Sequence, residues 1–292
     1  MTDSETKEPL DTAVLLADLA AWWANQKPSL PEASGTSMLT TEQAAGYRAT
    51  ELGDYADALA GYRSRAPQRI AGGEWDQAIP EGTENPYWEV IRQLPLDPIP
   101  MPWHHGPEPV LHWMGANYRE DAKFFADRFA ICPTYSWSIC TPGDITWLGK
   151  ILEGRGVVEA GAGTGYWAWQ MEQAGISVAA YEPNLPGENG FARREWTTIL
   201  RDDYSAVKHH PDRALFLCWP SYDDPWAAQA LSCYAGDLLI YAGEGEGGCT
   251  ADDEFFRLLE AEWDEVDCSA RHVTYWGIHD YLTAYRRKGP GR

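Results

Sequence analysis

From about residue 145 the chain alternates short apolar runs with amphipathic stretches, which predicts strands separated by helices. The strand candidates are 156–160, 177–182, 197–200, 214–219, 237–242, 264–270 and 281–287. Helix candidates fall between them at 165–174, 188–195, 203–209, 225–233 and 251–262. Five of the seven strands have continuous apolar centres, the pattern of strands buried on both faces of a doubly wound sheet. No helix-length segment separates the last two strands, so the final one is expected to pair antiparallel.

The first half reads differently. Residues 11–25 carry apolar side chains at helical spacing with Pro28 beyond the end. A second helix is expected over 41–65, opened by the capping start at 40–43, and a short one over 86–94 opened by Pro86. The proline-rich run 95–107 fits neither a helix nor a central strand and predicts a stiff loop. Residues 115–130 look helical again. The expected organisation is a helical cap or lid at 1–130, followed by an α/β domain at 131–292.

Residues 157–166 carry the densest chemical signal. A β-branched strand containing Glu159 runs into Gly161, Gly163 and Gly165 and then into a helix beginning near Tyr166. Alternating glycines at a strand–helix turn let backbone approach a nucleoside cofactor. A dinucleotide fingerprint is G-x-G-x-x-G/A, whose last position must be small. Tyr166 stands there, and the third glycine comes one residue early, so a nicotinamide cofactor is disfavoured. The G-x-G-x-G form preceded by an acid resembles motif I of the class I S-adenosylmethionine (SAM) dependent methyltransferases.

That resemblance covers roughly residues 145–288 and implies a Rossmann-like methyltransferase sheet of seven strands, six parallel and the last an antiparallel insertion. It implies SAM as cofactor, with Glu159 near its amino group and the glycines against its methionine part. Tyr166 and Trp167 are candidates to cover the sulfonium by cation–π attraction, with helix packing as the alternative. Glu182, 21 residues after Gly161, ends the second strand where an acid meets ribose hydroxyls. Asp203, or its neighbour Asp202, resembles the acid that meets the adenine amino group; the alternative is a helix N-cap. The run Cys218-Trp219-Pro220-Ser221-Tyr222 loosely resembles the N-P-P-Y motif of amino-group methyltransferases. Trp219 replaces its polar first residue, which makes an exocyclic nucleobase amine a poor acceptor. The Pro220 carbonyl, the Tyr222 hydroxyl and the Trp219 ring remain candidates at that edge.

Charge and composition narrow the partners. The balance of 23 basic and 44 acidic residues gives −21, a field that repels nucleic-acid phosphates. No run of 18 apolar residues occurs, the polar start lacks a signal-peptide core, and a cytoplasmic protein away from membranes is expected. Six cysteines show no C-x-x-C spacing, and no metal is implied. The fifteen tryptophans belong mainly to packing, though a few are free to line a pocket for a flat ligand.

A base is needed only if the acceptor loses a proton. Topology puts His209 and His210 at the wrong edge of the sheet, and His272 and His279 on the productive side. His104, His105 and His112 fall in the helical section, which could close over the site as a lid; the acidic glycine-rich run 243–248 is expected to be a flexible loop on the productive side, with a plain surface loop as the alternative. The catalytic candidates are Tyr222, His279 and Tyr135. With its G-A-G-T-G-Y-W, L-F-L-C-W-P and D-L-L-I-Y-A-G-E segments, the chain is similar to bacterial small-molecule methyltransferases. Some relatives of that type methylate the indole of tryptophan-containing cyclodipeptides at C3 or nitrogen. The sharpest expectation is such an aromatic acceptor. The alternatives are O-methylation of a phenol or carboxylate, and a non-catalytic SAM-binding protein. No heptad seam is visible, and a homodimer is left open.

Overall fold

A computed structural model describes residues 77–91, 131–188, 190–274 and 278–289. The helices expected over 11–25, 41–65 and 115–130, the proline-rich run and the histidines at 104, 105 and 112 lie outside the described residues.

Period-two alternation builds the sheet. In β1 (Val157–Ala160), Val157 joins an apolar cluster on one face and Val158 a second cluster on the other. β3 (Ala214–Cys218) repeats this with Phe216 against Leu215 and Leu217, and β4 (Leu238–Gly243) with Ile240 against Leu239 and Tyr241. Strands apolar on both faces need helices on both. One face is covered by α1 (Pro86–Ile91), α2 (Pro142–Ile151) and α3 (Tyr166–Gln173). The other is covered by the 3₁₀ turn Tyr204–His209, α4 (Trp226–Cys233) and α5 (Asp253–Glu262). α1 precedes residue 130, yet it shares the core of α2 and α3: the Tyr87 and Tyr166 rings meet edge to face at 5.7 Å.

With β2 (Val178–Tyr181), β5 (Trp263–Cys268) and β6 (Tyr281–Arg287), the strand order is β2-β1-β3-β4-β6-β5. β1 to β4 are parallel, and β6 runs antiparallel between β4 and β5. β5 closes the edge with Asp264, Glu265 and Val266 turned to solvent, and charges there discourage further pairing.

Three expectations need correction. Among the described residues the sheet has six strands, because 197–200 contributes only one bridge, Tyr181 to Leu200, beside β2. The residues before Leu200 are drawn to α3 instead: the Trp196 N–H donates to the Thr164 carbonyl and the Thr197 hydroxyl to Glu172. The helix expected over 188–195 does not form in its described part, where the Arg193 N–H donates to the Pro133 carbonyl at 2.7 Å. Conversely, α2 was not expected, although its start carries a full capping box: Thr141 and Asp144 exchange side chain-to-backbone bonds around Pro142.

Candidate cofactor and acceptor site

The chain leaves β1 for β2 on one side and reaches β3 on the other, so a crevice opens beyond the carboxyl ends of β1 and β3. The glycine turn fills its floor, with positive φ at Gly161, Gly163 and Gly165. Two of them differ in purpose. A Cβ on Gly161 would sit 2.7 Å from the Trp226 ring, so that glycine allows close packing of α4. A Cβ on Gly163 meets nothing within 4 Å, so that glycine keeps open space above the turn. A cavity of ≈ 750 Å³ lies there, within the roughly 300–1,000 Å³ usual for small-molecule sites.

On one side the cavity is walled by Glu159, Gly161, Gly163, Glu182 and Asp203. Glu182 accepts N–H bonds from Gly163 at 3.0 Å and Asn184 at 3.3 Å; burial pushes its carboxyl up, against the pull of those bonds. Asp203 caps the 3₁₀ turn, accepting from the Ser205 N–H at 2.8 Å, so the N-cap alternative is realised even as the residue borders the cavity.

Glu159 is the unusual member. Its position in β1 turns it to the Val157 face, beneath α3, where it is 1% exposed. Burial, reinforced by the Glu182 charge, raises its pKa to about 8, against an N–H bond from Ala168. Its Oε2 has no hydrogen-bond partner among the described residues. An uncompensated buried oxygen is costly and marks a position that a bound donor would satisfy.

Tyr166 and Trp167 border the cavity but are built into the core. The Tyr166 hydroxyl donates to Asn85 at 2.8 Å and accepts from the Tyr87 N–H at 3.0 Å. Tyr135 is likewise fully buried, its ring stacked on Tyr87 at 4.8 Å and on Trp196 at 5.6 Å. Its carbonyl accepts from the Thr164 hydroxyl, which straps the 131–137 segment over the glycine turn.

The opposite side is formed by Cys218, Trp219, Tyr222, Glu244, Cys249 and Ile278. Trp219 takes a left-handed turn at φ 51 at the end of β3, and its N–H donates to the Ala242 carbonyl. Tyr222 stands at the rim, 70% exposed. The Cys218 thiol is pushed up to about 12 by burial and stays protonated. Three sequence candidates fall outside the lining. Gly165 serves as the N-cap of α3. The Pro220 carbonyl accepts the Ala251 N–H at 3.1 Å, which ties the loop after β3 to the loop after β4. His279 is exposed, and it meets the site only through its N–H, which donates to Glu244 at 2.8 Å.

His272, seven residues earlier, is the buried histidine. Its ring lies 2.9 Å from Asp144 and 3.4 Å from Asp280, and the Ser138 hydroxyl donates to Asp280 at 2.6 Å. Burial alone would lower its pKa, but the two carboxylates overcome this and hold it near 10. The cluster ties Ser269, His272 and, through His272, Asp280 to the start of α2 and lies outside the cavity. Sequence reasoning also missed Glu244 as an individual residue. Its signal was its place directly after a central strand, on the ligand side of the sheet.

No protein-family model matches the chain, and no curated protein is significantly similar to it in sequence. Among solved structures, magnesium protoporphyrin IX methyltransferase from Synechocystis, with bound SAM, overlaps at 14% identity and TM-score 0.35. That overlap covers 49% of this chain and 76% of the other. The 1,6-didemethyltoxoflavin N1-methyltransferase from Burkholderia thailandensis overlaps at 18% identity and TM-score 0.34, covering 51% of this chain and 77% of the other. Overlaps this shallow carry no argument.

Proposed function

We propose that the protein is a SAM-dependent methyltransferase acting on a small aromatic molecule, with the indole of a tryptophan-containing cyclodipeptide, methylated at C3 or nitrogen, as the specific acceptor. The observation that carries the cofactor reading is the buried, unsatisfied Glu159 oxygen beside a glycine turn that leaves space above Gly163. The α-ammonium of SAM fits that oxygen, and its ribose hydroxyls fit Glu182. Bound there, SAM supplies an electrophilic methyl group.

The chain's own task is then positioning, which can contribute much of the acceleration of an in-line transfer. The strap of 131–137 over the turn and the Tyr135–Trp196 stack keep that wall dry and stiff. Trp219 and Tyr222 offer flat surfaces to a flat acceptor on the far side. The protonated Cys218 thiol takes no part as a nucleophile. Incubation with labelled SAM and a cyclodipeptide panel, followed by mass analysis, tests the reading. Label in tryptophan-containing members supports it, and label only in a phenol or carboxylate panel replaces the acceptor while keeping the cofactor.

A further inference from the structure

The cavity wall is chemically one-sided. Five carboxylates border it, those of Glu159, Glu182, Asp203, Asp224 and Glu244, and among the described residues no lysine, arginine or histidine does. Glu159 and Glu182 have a use on the cofactor side. Glu244 does not. It stands past the end of β4 in the acceptor half, with Trp219, Tyr222 and Ile278.

Glu244 is also held rigidly. It is 5% exposed, its Oε1 accepts the His279 N–H at 2.8 Å, and its Oε2 accepts the Cys249 N–H at 2.6 Å. Its own N–H is bonded to the Thr250 hydroxyl at 3.0 Å. The glycine-rich loop is therefore wound around this carboxylate and not merely exposed to solvent. Two N–H bonds leave further lone pairs on a carboxylate, so it can still accept from a ligand.

Resting on the methyltransferase reading, we propose that Glu244 sets the charge of the acceptor: the site takes neutral or cationic flat rings and rejects anionic ones. A fixed carboxylate in a partly water-excluded cavity repels a second anion more strongly than it would in water. Asp224 at the mouth and the overall charge of −21 act in the same direction during approach. A carboxylate substrate, one of the acceptors left open by sequence, is the class this excludes.

The test uses three probes with one ring and three charges: tryptophol, tryptamine and indole-3-acetate. Calorimetry on the full chain measures each, with and without S-adenosylhomocysteine (SAH). The expected result is that tryptophol and tryptamine bind at least about tenfold more tightly than indole-3-acetate, and that Glu244→Gln narrows the gap to about threefold or less. Equal or tighter binding of indole-3-acetate by the unaltered protein overturns the proposal, as does a gap that Glu244→Gln leaves untouched. Should Glu244→Gln fail to fold, Glu244→Ser, which also removes the charge, takes its place, and narrowing of the gap is again required. SAH affinity, read in the same titrations, reports separately on the cofactor reading.

Discussion

The Gly163 N–H donates to Glu182 Oε2 at 3.0 Å, tying the turn after β1 to the end of β2. One carboxylate thus both braces the glycine turn and borders the cavity it opens. Glu182→Ala is expected to weaken SAH binding by ten- to hundredfold, as the loss of hydrogen bonds to a charged group, about 1.5–3 kcal/mol, implies. Calorimetry checks it, and unchanged affinity would remove Glu182 from the ribose role.

Glu159 gives a pH dependence with a definite sign. Its carboxyl is raised from 4.5 to about 8 in the fold, so the folded chain keeps a proton there that the unfolded chain releases. The stability this contributes is complete below about pH 4.5 and is lost as pH rises through about 8. Glu159→Gln should therefore flatten the fall in melting temperature between about pH 5 and 9. If the ammonium of the cofactor pairs with this residue, SAH affinity should also rise from pH 6 to 8 in the unaltered protein and stay level in the variant. Parallel pH profiles in both proteins would sink the assignment.

Gly163→Val places a β-branched side chain at φ +57, in the open space over the turn. Backbone strain of roughly 1–3 kcal/mol is expected, with loss of SAH binding. The two effects are separable. Gly163→Ala carries the same backbone strain with little bulk, and it should lower the melting temperature while keeping more of the affinity.

Removing His272 leaves Asp144 and Asp280 facing each other in the interior without their common partner. His272→Ala should cost about 3–5 kcal/mol in urea denaturation at pH 7. In the unaltered protein, the contribution is complete below about 6.5 and is lost as pH rises through about 10. A variant as stable as its parent at pH 7 would mean that the cluster contributes no net stability.

The β1–turn–α3 unit was legible because local signals agreed: a β-branched run, then alternating glycines, which the fold holds at positive φ, then a helix-length segment. The place of Glu182, just past the end of β2 and beside the cavity, was legible from its spacing to the glycines. The choice between His272 and His279 was not, since both sit in one polar segment. What buries His272 is Asp144, a residue 128 positions earlier in the chain. Residues 197–200 have strand-like composition, but Trp196 and Thr197 are committed to α3 and its approach, which no local pattern reveals. The bond from the Ala251 N–H to the Pro220 carbonyl, which joins two loops 31 residues apart, was hidden for a similar reason. Glu244 was hidden by composition, because glycine-rich acidic runs resemble solvent loops until their hydrogen bonds are known.

The position of β6 bears on the order in which the molecule can be made. β5 is synthesised first, yet it has no neighbour in the sheet until β6 enters between it and β4. A nascent chain that has not yet extended past Tyr281 presents β4, buried along its whole length in the finished sheet, as an open edge. The strand Tyr281–Arg287 thus closes the sheet by covering both β4 and β5. Until it does, the chain carries an unpaired apolar edge, open to unwanted strand pairing.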